Sequence, residues 1–330
     1  MTEQLLQVEE LATHFFTANG VAKAVDGVSF SIAKGEILGL VGESGSGKSV
    51  TGFSILRLVD PPGRIVSGRI LLEGQDLASL DDENTRAIRG KRIAMIFQDP
   101  MMTLNPVLRI DTQMVEACQA HSGMSRAAAL ERCRQVLAMV GIASPDERLA
   151  SYPHHFSGGM RQRVAIAIAL LHEPDLIIAD EPTTALDVTI QAQILAEVQK
   201  LCAKTGTALL WISHDLAVVS ALADRIAVMY AGRIVEQGTA AQVIEAPLHP
   251  YTRGLIDSVP SRNRRGAPLR QILGMAPSIL DLPKGCAFQP RCARGDSACL
   301  NPPPEAEHHP GRFARCFHPH LAEARRELPA

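Results

Sequence analysis

No apolar run in the sequence is long enough to cross a bilayer as a helix: the longest, Val164 to Leu171, falls far short of the ~20 residues required. Any membrane association is therefore expected to come through partners. The N-terminus also lacks the basic region, apolar core and small-residue cleavage site of a secretory signal, since Met1-Thr2-Glu3-Gln4 leads into Glu9-Glu10. A cytoplasmic location is the expectation. Charge of one sign is missing too: the formal net charge is −2, which leaves no broad cationic field for gripping nucleic acid. No internal repeat is visible. With 46% hydrophobic and 21% charged residues, the 330-residue chain has an ordinary globular composition, and its length suits one large domain plus an appendage.

Seven cysteines are present, with no C-x2-C pair among them. Cys118, Cys133 and Cys202 are scattered through apolar segments and are expected to be small buried side chains. Cys286, Cys292, Cys299 and Cys316 instead crowd into the last stretch of the chain, a clustering that calls for a cause.

Ile37 to Val41 is a short apolar run followed by glycines and then a helix-like stretch from Lys48 to Leu58, which reads as buried strand, loop, helix. Leu176 to Ala179, ending in Asp180, and Ala208 to Ile212, ending in Ser213-His214-Asp215, read as further strands. Continuous apolar strands imply a sheet covered on both faces, hence an α/β core. Between Gln98 and Ser157 helical patterning dominates, as in Ala127 to Val140, and strand signal is scarce. Strands resume near Ile226 to Tyr230, and beyond His249-Pro250-Tyr251 the chain turns rich in Pro, Arg and Gly.

Gly42-Glu43-Ser44-Gly45-Ser46-Gly47-Lys48-Ser49 fits G-x-x-x-x-G-K-[ST] between a predicted strand and a predicted helix. The glycines let the backbone turn its N–H groups onto phosphate oxygens at a helix N-terminus, Lys48 neutralises phosphate charge, and the Ser49 hydroxyl suits Mg²⁺. This grip alone leaves kinases, GTPases, helicases and transporters open.

Other segments choose among them. In Phe156-Ser157-Gly158-Gly159-Met160, Ser157 can cap the next helix while Gly158 and Gly159 expose N–H groups, making a second anion site. Asp180 and Glu181 end a buried strand, where neighbouring side chains take opposite directions. Gln98, Ala185-Leu186-Asp187 and His214 complete the set, and over residues 5 to 245 the chain closely resembles the ABC ATPase family. The resemblance implies a P-loop NTPase (RecA-like) nucleotide-binding domain at 1–247, with a helical subdomain inserted at about 99–157. It implies that ATP and Mg²⁺ are bound, with Asp180, Ser49 and the Q-loop Gln98 at the metal and Glu181 orienting or deprotonating the attacking water. His214 matches the switch histidine at the γ-phosphate, and Asp187 the D-loop. Ser157, Gly158 and Gly159 match the signature that meets nucleotide held by the opposite subunit, with Met160 in place of the usual Gln. Phe15 is favoured over Phe16 as the aromatic that stacks on adenine.

His249-Pro250-Tyr251-Thr252-Arg253-Gly254-Leu255 and the cysteine-bearing segment 248–330 resemble the loop-rich C-terminal extension of oligopeptide, dipeptide and nickel importer ATPases. Gly285 to Cys292 is especially like the dipeptide branch. The quartet spacing, C-x5-C-x6-C-x16-C, matches no common zinc or ferredoxin pattern, so spacing leaves the metal open. The resemblance favours a [4Fe-4S] cluster on Cys286, Cys292, Cys299 and Cys316, with Zn²⁺ the alternative metal and free thiols or a disulfide fold the metal-free ones; His308, His309 and His318 lie nearby and could substitute as ligands, although solvated loop histidines are the ordinary reading. The nucleotide site, far away in sequence, is expected to bind ATP without it.

The resemblance further implies an ATPase subunit importing dipeptides or oligopeptides. Its partners would be a paralogous ABC ATPase, two transmembrane permeases and an extracytoplasmic peptide-binding protein, at the cytoplasmic face of the bacterial inner membrane. A soluble ABC ATPase of translation or DNA repair would carry two nucleotide domains or a long coiled coil, and neither is visible.

Overall fold

The computed structural model describes residues 3–183, 188–260, 263, 266 and 268–321. Its backbone falls into two compact units: one of residues 1–5, 33–36 and 79–210, the other of residues 6–32, 37–78 and 211–330. Among the described residues no helix is long and apolar enough to cross a membrane.

The second unit contains two sheets. One is built from β1 (Gln4–Thr17), β2 (Gly20–Ala33), β4 (Gly63–Leu72) and β5 (Gln75–Asp76) in the order β2-β1-β4-β5. β1 and β4 run antiparallel. The other sheet centres on β3 (Ile37–Val41), buried at every residue as its unbroken apolar sequence requires. β3 runs parallel to β9 (Arg225–Tyr230), which turns back into β10 (Arg233–Thr239). β12 (Arg312–Arg315) then pairs with β10, and β11 (Glu305–His309) with β12. Among the described residues, the α-helices accompanying these strands are α1 (Lys48–Ile55), α8 (Leu216–Leu222), α9 (Ala240–Glu245) and α10 (Pro250–Asp257). α8 sits directly on β3, because a Cβ at Gly39 would come within 2.1 Å of Val219 Cγ1. α10 starts as its sequence dictates, with Pro250 in the first turn and the His249 ring accepting the Tyr251 N–H at 3.0 Å.

A buried pair ties the chain's last strands to this sheet. Glu236 on β10 and Arg312 on β12 are both fully buried, 3.9 Å apart. The Glu236 carboxylate accepts the N–H groups of Leu248 at 2.7 Å and His249 at 2.8 Å. Arg312 donates to the carbonyls of Gln242 and Ala246 at the end of α9. Burial pushes the Glu236 carboxyl up to about 7 against the opposing pull of these donors and of Arg312.

The first unit holds α2 (Asp82–Ile88), the parallel pair β6 (Ile93–Ile96) and β7 (Leu176–Asp180), and helices α3 (Ile110–Gln119), α4 (Arg126–Met139), α5 (Pro145–Leu149), α6 (Gly158–Ala169) and α7 (Val188–Thr205). Residues 99–157 carry α3 to α5 and, among the described residues, no strand. Ser125 caps α4 by accepting the Ala128 N–H. Arg132 on α4 donates to the carbonyls of Leu170 and Leu171, which end α6. Cys118 and Cys133 are buried with their sulfurs 3.9 Å apart, and Cys202 is buried as well. β8 (Ala208–Ser213) leads from the first unit into the second.

The strands and helices expected at residues 37–41, 48–58, 127–140, 176–179, 208–212 and 226–230 are present, with ends shifted by a few residues at most. The N-terminal sheet and the pair β11–β12 were not foreseen. β11 reads Glu-Ala-Glu-His-His, an alternation of polar and small residues with little apolar signal.

Candidate functional site

In the second unit, the turn from β3 into α1 carries residues 42–49. Gly47 has φ +104° at the helix N-cap, and a Cβ there would fall 2.1 Å from the Ala24 carbonyl, so no other residue fits. A Cβ at Gly42 would fall 2.2 Å from the Met229 carbonyl. Gly45 is also left-handed, and the Ser46 N–H closes a turn onto Glu43 O at 3.2 Å. Ser44 is the exposed tip. Lys48, 4% exposed, folds its ammonium back over the loop onto the carbonyls of Gly42 (2.9 Å) and Glu43 (3.0 Å). Ser49 stands in the first turn of α1. The arrangement is a concave run of backbone at a helix N-terminus with a cation folded across it, suited to an anion.

His214 follows β8 and is exposed, while its neighbour Asp215 caps α8 through the N–H groups of Ala217 and Val218. Phe15, half-buried, pairs with Gly63 across β1 and β4, its ring close enough that a Cβ on Gly63 would meet it at 2.6 Å. Phe16 is 39% exposed, and the Arg64 guanidinium lies 4.3 Å from its ring centroid.

In the first unit, β7 ends at Asp180, which is buried, and Glu181, which follows it, is half-buried. Glu181 takes a left-handed φ of +45°, a conformation that costs a non-glycine residue energy and recurs at functional turns. Gln98, at the end of β6, brings its carboxamide nitrogen to 3.5 Å from Glu181 Oε2. Ser157 caps α6 through its hydroxyl and the Met160 N–H at 3.3 Å. Gly158 and Gly159 form the helix's first residues, and Gly159 lies so close to Ile190 that a Cβ would sit 2.9 Å away. An open cleft of about 720 Å³ borders Ser157, Gly158 and Gly159, with Arg148 and Arg163 adding positive charge. Asp187 lies outside the described residues.

The four C-terminal cysteines belong to the second unit and none is in a disulfide. Cys286 N–H bonds the Cys299 carbonyl at 2.9 Å. The sulfurs are aimed at by backbone donors: Phe288 and Gln289 at Cys286, Arg294 and Gly295 at Cys292, and His318 at Cys316. Such donors stabilise a thiolate, whereas burial pushes the Cys286 and Cys292 thiols up and Cys316 to about 11, with the neighbouring thiols adding to it. Three thiols raised by burial, yet provided with N–H donors, form an environment suited to a thiolate-bound metal. Among the described residues one tight trio of ligating side chains also occurs: Asp296, Cys299 and His318, with ligand atoms within 4.8 Å of one another. His308 and His309 stand on β11 and are not part of it.

Residues 25–184 match the family described as ABC transporter, and residues 235–299 match the oligopeptide/dipeptide transporter C-terminal region. The dipeptide transport ATP-binding protein DppD of Bacillus subtilis is 50% identical over 90% of this chain and 89% of its own. This chain belongs to the ABC transporter family. The oligopeptide transport ATP-binding protein OppD of Salmonella typhimurium is 46% identical over 96% of the chain and 94% of its own length. Among solved structures, the ATP-binding cassette MJ0796, in a dimeric post-hydrolysis state with ADP and Pi, covers 72% of this chain and 99% of its own at 26% identity and a TM-score of 0.65. The chain therefore has the P-loop ATPase fold and the ATP-hydrolysing activity of its family.

Two residues that carry no assignment in the sequence emerge here. Tyr251 and Arg291 both contact Glu43 of the phosphate loop. Arg291 lies 248 positions from its partner, a separation across which no local pattern signals contact.

Proposed function

We propose that this protein is the ATP-hydrolysing subunit of an importer for dipeptides or oligopeptides, acting through transmembrane permeases at the cytoplasmic face of the membrane. The observation that carries the reading is the pairing of an ABC cassette with the oligopeptide/dipeptide transporter C-terminal region in one chain. In this reading Gly42 to Ser49 cradle the phosphates, with Lys48 countering their charge and Ser49, Gln98 and Asp180 at the Mg²⁺. Glu181 activates the attacking water, and His214 contacts the γ-phosphate. Phe15 stacks on the base. Ser157, Gly158 and Gly159 serve the nucleotide of an opposing ATPase subunit, with Asp187 at the same junction. The inserted helical subdomain at 99–157 faces the permeases, and the segment from 248 is the importer-type extension. An extracytoplasmic peptide-binding protein and a paralogous ATPase complete the assembly.

The same reading places a [4Fe-4S] cluster on Cys286, Cys292, Cys299 and Cys316. The four free thiols and the backbone N–H groups aimed at three of them support a thiolate-bound metal centre. Among the described residues no three of these sulfurs lie within 4.8 Å of one another, wider than the few ångströms that ~2.3 Å Zn–S bonds impose on a tetrahedral site. Zinc is the second reading, favoured by the Asp296, Cys299 and His318 trio. A bound metal would cross-link a proline-rich segment with little apolar surface of its own.

The test is purification of the tagged chain from membranes with subunit identification by mass spectrometry. Two permeases and a second ATPase in stoichiometric amounts are expected. Recovery of the chain alone, or with ribosomes or DNA, would overturn the transport reading.

A further inference from the structure

The phosphate loop contains a carboxylate, Glu43, one position after Gly42. A loop that binds a polyanion gains nothing from a bare negative charge, so what surrounds this carboxylate matters. The Arg291 guanidinium holds it with two parallel bonds, Nη1 to Oε2 at 2.8 Å and Nη2 to Oε1 at 3.1 Å. The Arg291 side chain is 6% exposed, so the pair is shielded on one side from water and salt. The guanidinium is itself fixed: Nε donates to Leu273 O at 3.0 Å, Nη1 also reaches the Tyr230 hydroxyl at 3.3 Å, and the rings of Tyr230 and Phe288 lie 5.9 Å from it. The backbone of the same loop residue is held too, since the Glu43 N–H donates to the buried Tyr251 hydroxyl at 2.9 Å.

Arg291 occupies the turn between Cys286 and Cys292. That turn is closed by Gln289 N–H to Cys286 O at 3.0 Å, Arg291 N–H to Phe288 O at 3.0 Å, and Cys292 N–H to Gln289 O at 3.1 Å. The cysteine segment thus reaches the phosphate loop through Arg291.

We propose that Arg291 is a positioning residue for nucleotide binding, which neutralises Glu43 and, together with Tyr251, fixes the first half of the phosphate loop from the cysteine segment. The proposal rests on reading residues 42–49 as the nucleotide's phosphate site. A guanidinium matches a carboxylate in two places at once and lysine in one, so the role requires arginine. Because the clamp acts by cancelling a charge, removing that charge should make the arginine dispensable.

The experiment is calorimetric titration of the full-length chain with Mg-ADP, with metal content measured on each variant. Arg291→Ala is expected to weaken ADP binding about fivefold to tenfold, the scale of a charge-assisted hydrogen-bonded pair, while metal content stays at the wild-type level. Arg291→Lys, which keeps the charge and is the safer variant for folding, should lie between the two. The double variant Arg291→Ala with Glu43→Gln should return affinity to within about twofold of wild type, the mark of two residues acting on one another. A purely structural bridge would give no such rescue, and absence of rescue would overturn the proposal, as would wild-type affinity in Arg291→Ala. Lys48→Ala serves as the separate control: if it too binds ADP normally, the phosphate-loop reading fails and the clamp fails with it.

Discussion

The carboxamide nitrogen of Gln98 and Oε2 of Glu181 lie 3.5 Å apart, at the outer limit of a hydrogen bond. The contact joins the ends of β6 and β7, beside the carboxylate proposed to take the proton of the attacking water. Glu181→Gln keeps the shape and loses the base. Turnover should fall about a hundredfold or more while ATP binding persists. Phosphate release measured beside equilibrium ATP binding checks this, and near-normal turnover would remove Glu181 from its role.

Gly47→Ala should abolish nucleotide binding. The new methyl would meet a backbone carbonyl, Ala24 O, at 2.1 Å in a conformation with φ +104°, and neither can yield cheaply. The added strain is on the order of 1–3 kcal/mol. Lys48→Ala, in contrast, should leave stability nearly intact and weaken binding by removing the positive charge from the phosphates. Thermal unfolding with and without Mg-ADP separates the two variants: the first loses melting temperature and ligand shift together, the second chiefly the shift.

Protein purified without oxygen should be brown and contain iron and sulfide in equal amounts. Cys292→Ser should bleach it and raise the susceptibility of the segment beyond 260 to protease, while ATP still binds, though less tightly because Arg291 loses its anchored turn. Colourless protein with stoichiometric zinc would replace iron by the second reading, and metal-free protein would remove the centre altogether.

His249 gives the fold a pH dependence of defined sign. Its ring is fully buried, and burial, reinforced by His320, lowers it to about 3, so the folded state binds no proton there until the pH falls near that value. The unfolded chain takes up the proton near 6.5, so this group's contribution is complete above 6.5 and is lost as pH falls toward 3. Glu236, raised to about 7, contributes in the opposite direction between about 4.5 and 7. The difference between wild type and His249→Asn isolates the histidine: asparagine can still cap α10, and the variant's unfolding midpoint should fall less steeply below pH 6.5. Parallel profiles would show that His249 does not titrate on unfolding.

The nucleotide motifs were legible because each combines a residue type with a backbone event: glycine where φ is positive or the backbone passes close, serine where a helix begins, acids where a buried strand ends. Gly47, Ser157 and Asp180 show all three. The cysteine quartet was legible as a cluster, but its spacing fixed no metal. The contacts of Glu43 with Arg291 and Tyr251, and of Glu236 with Arg312, were not legible, because pairing across hundreds or tens of residues depends on how sheets and turns are stacked, and no local periodicity encodes that. Nor did the weakly apolar β11 and β12 announce themselves as strands.

Those two strands bear on how this protein can be cut. β12 covers the hydrogen-bonding rim of β10, and the rim then passes to β11, whose exposed positions are Glu305, Glu307 and His309. Charged side chains on a short last strand discourage other chains from adding to it. A truncation after residue 247, although it spares every nucleotide motif, would strip that guard from β10. It would also leave Glu236 as a buried carboxylate without Arg312 and without the N–H groups of Leu248 and His249. The shortened cassette should be recovered as aggregate, joined strand to strand at β10, so the C-terminal segment is as much a solubility device as an importer hallmark.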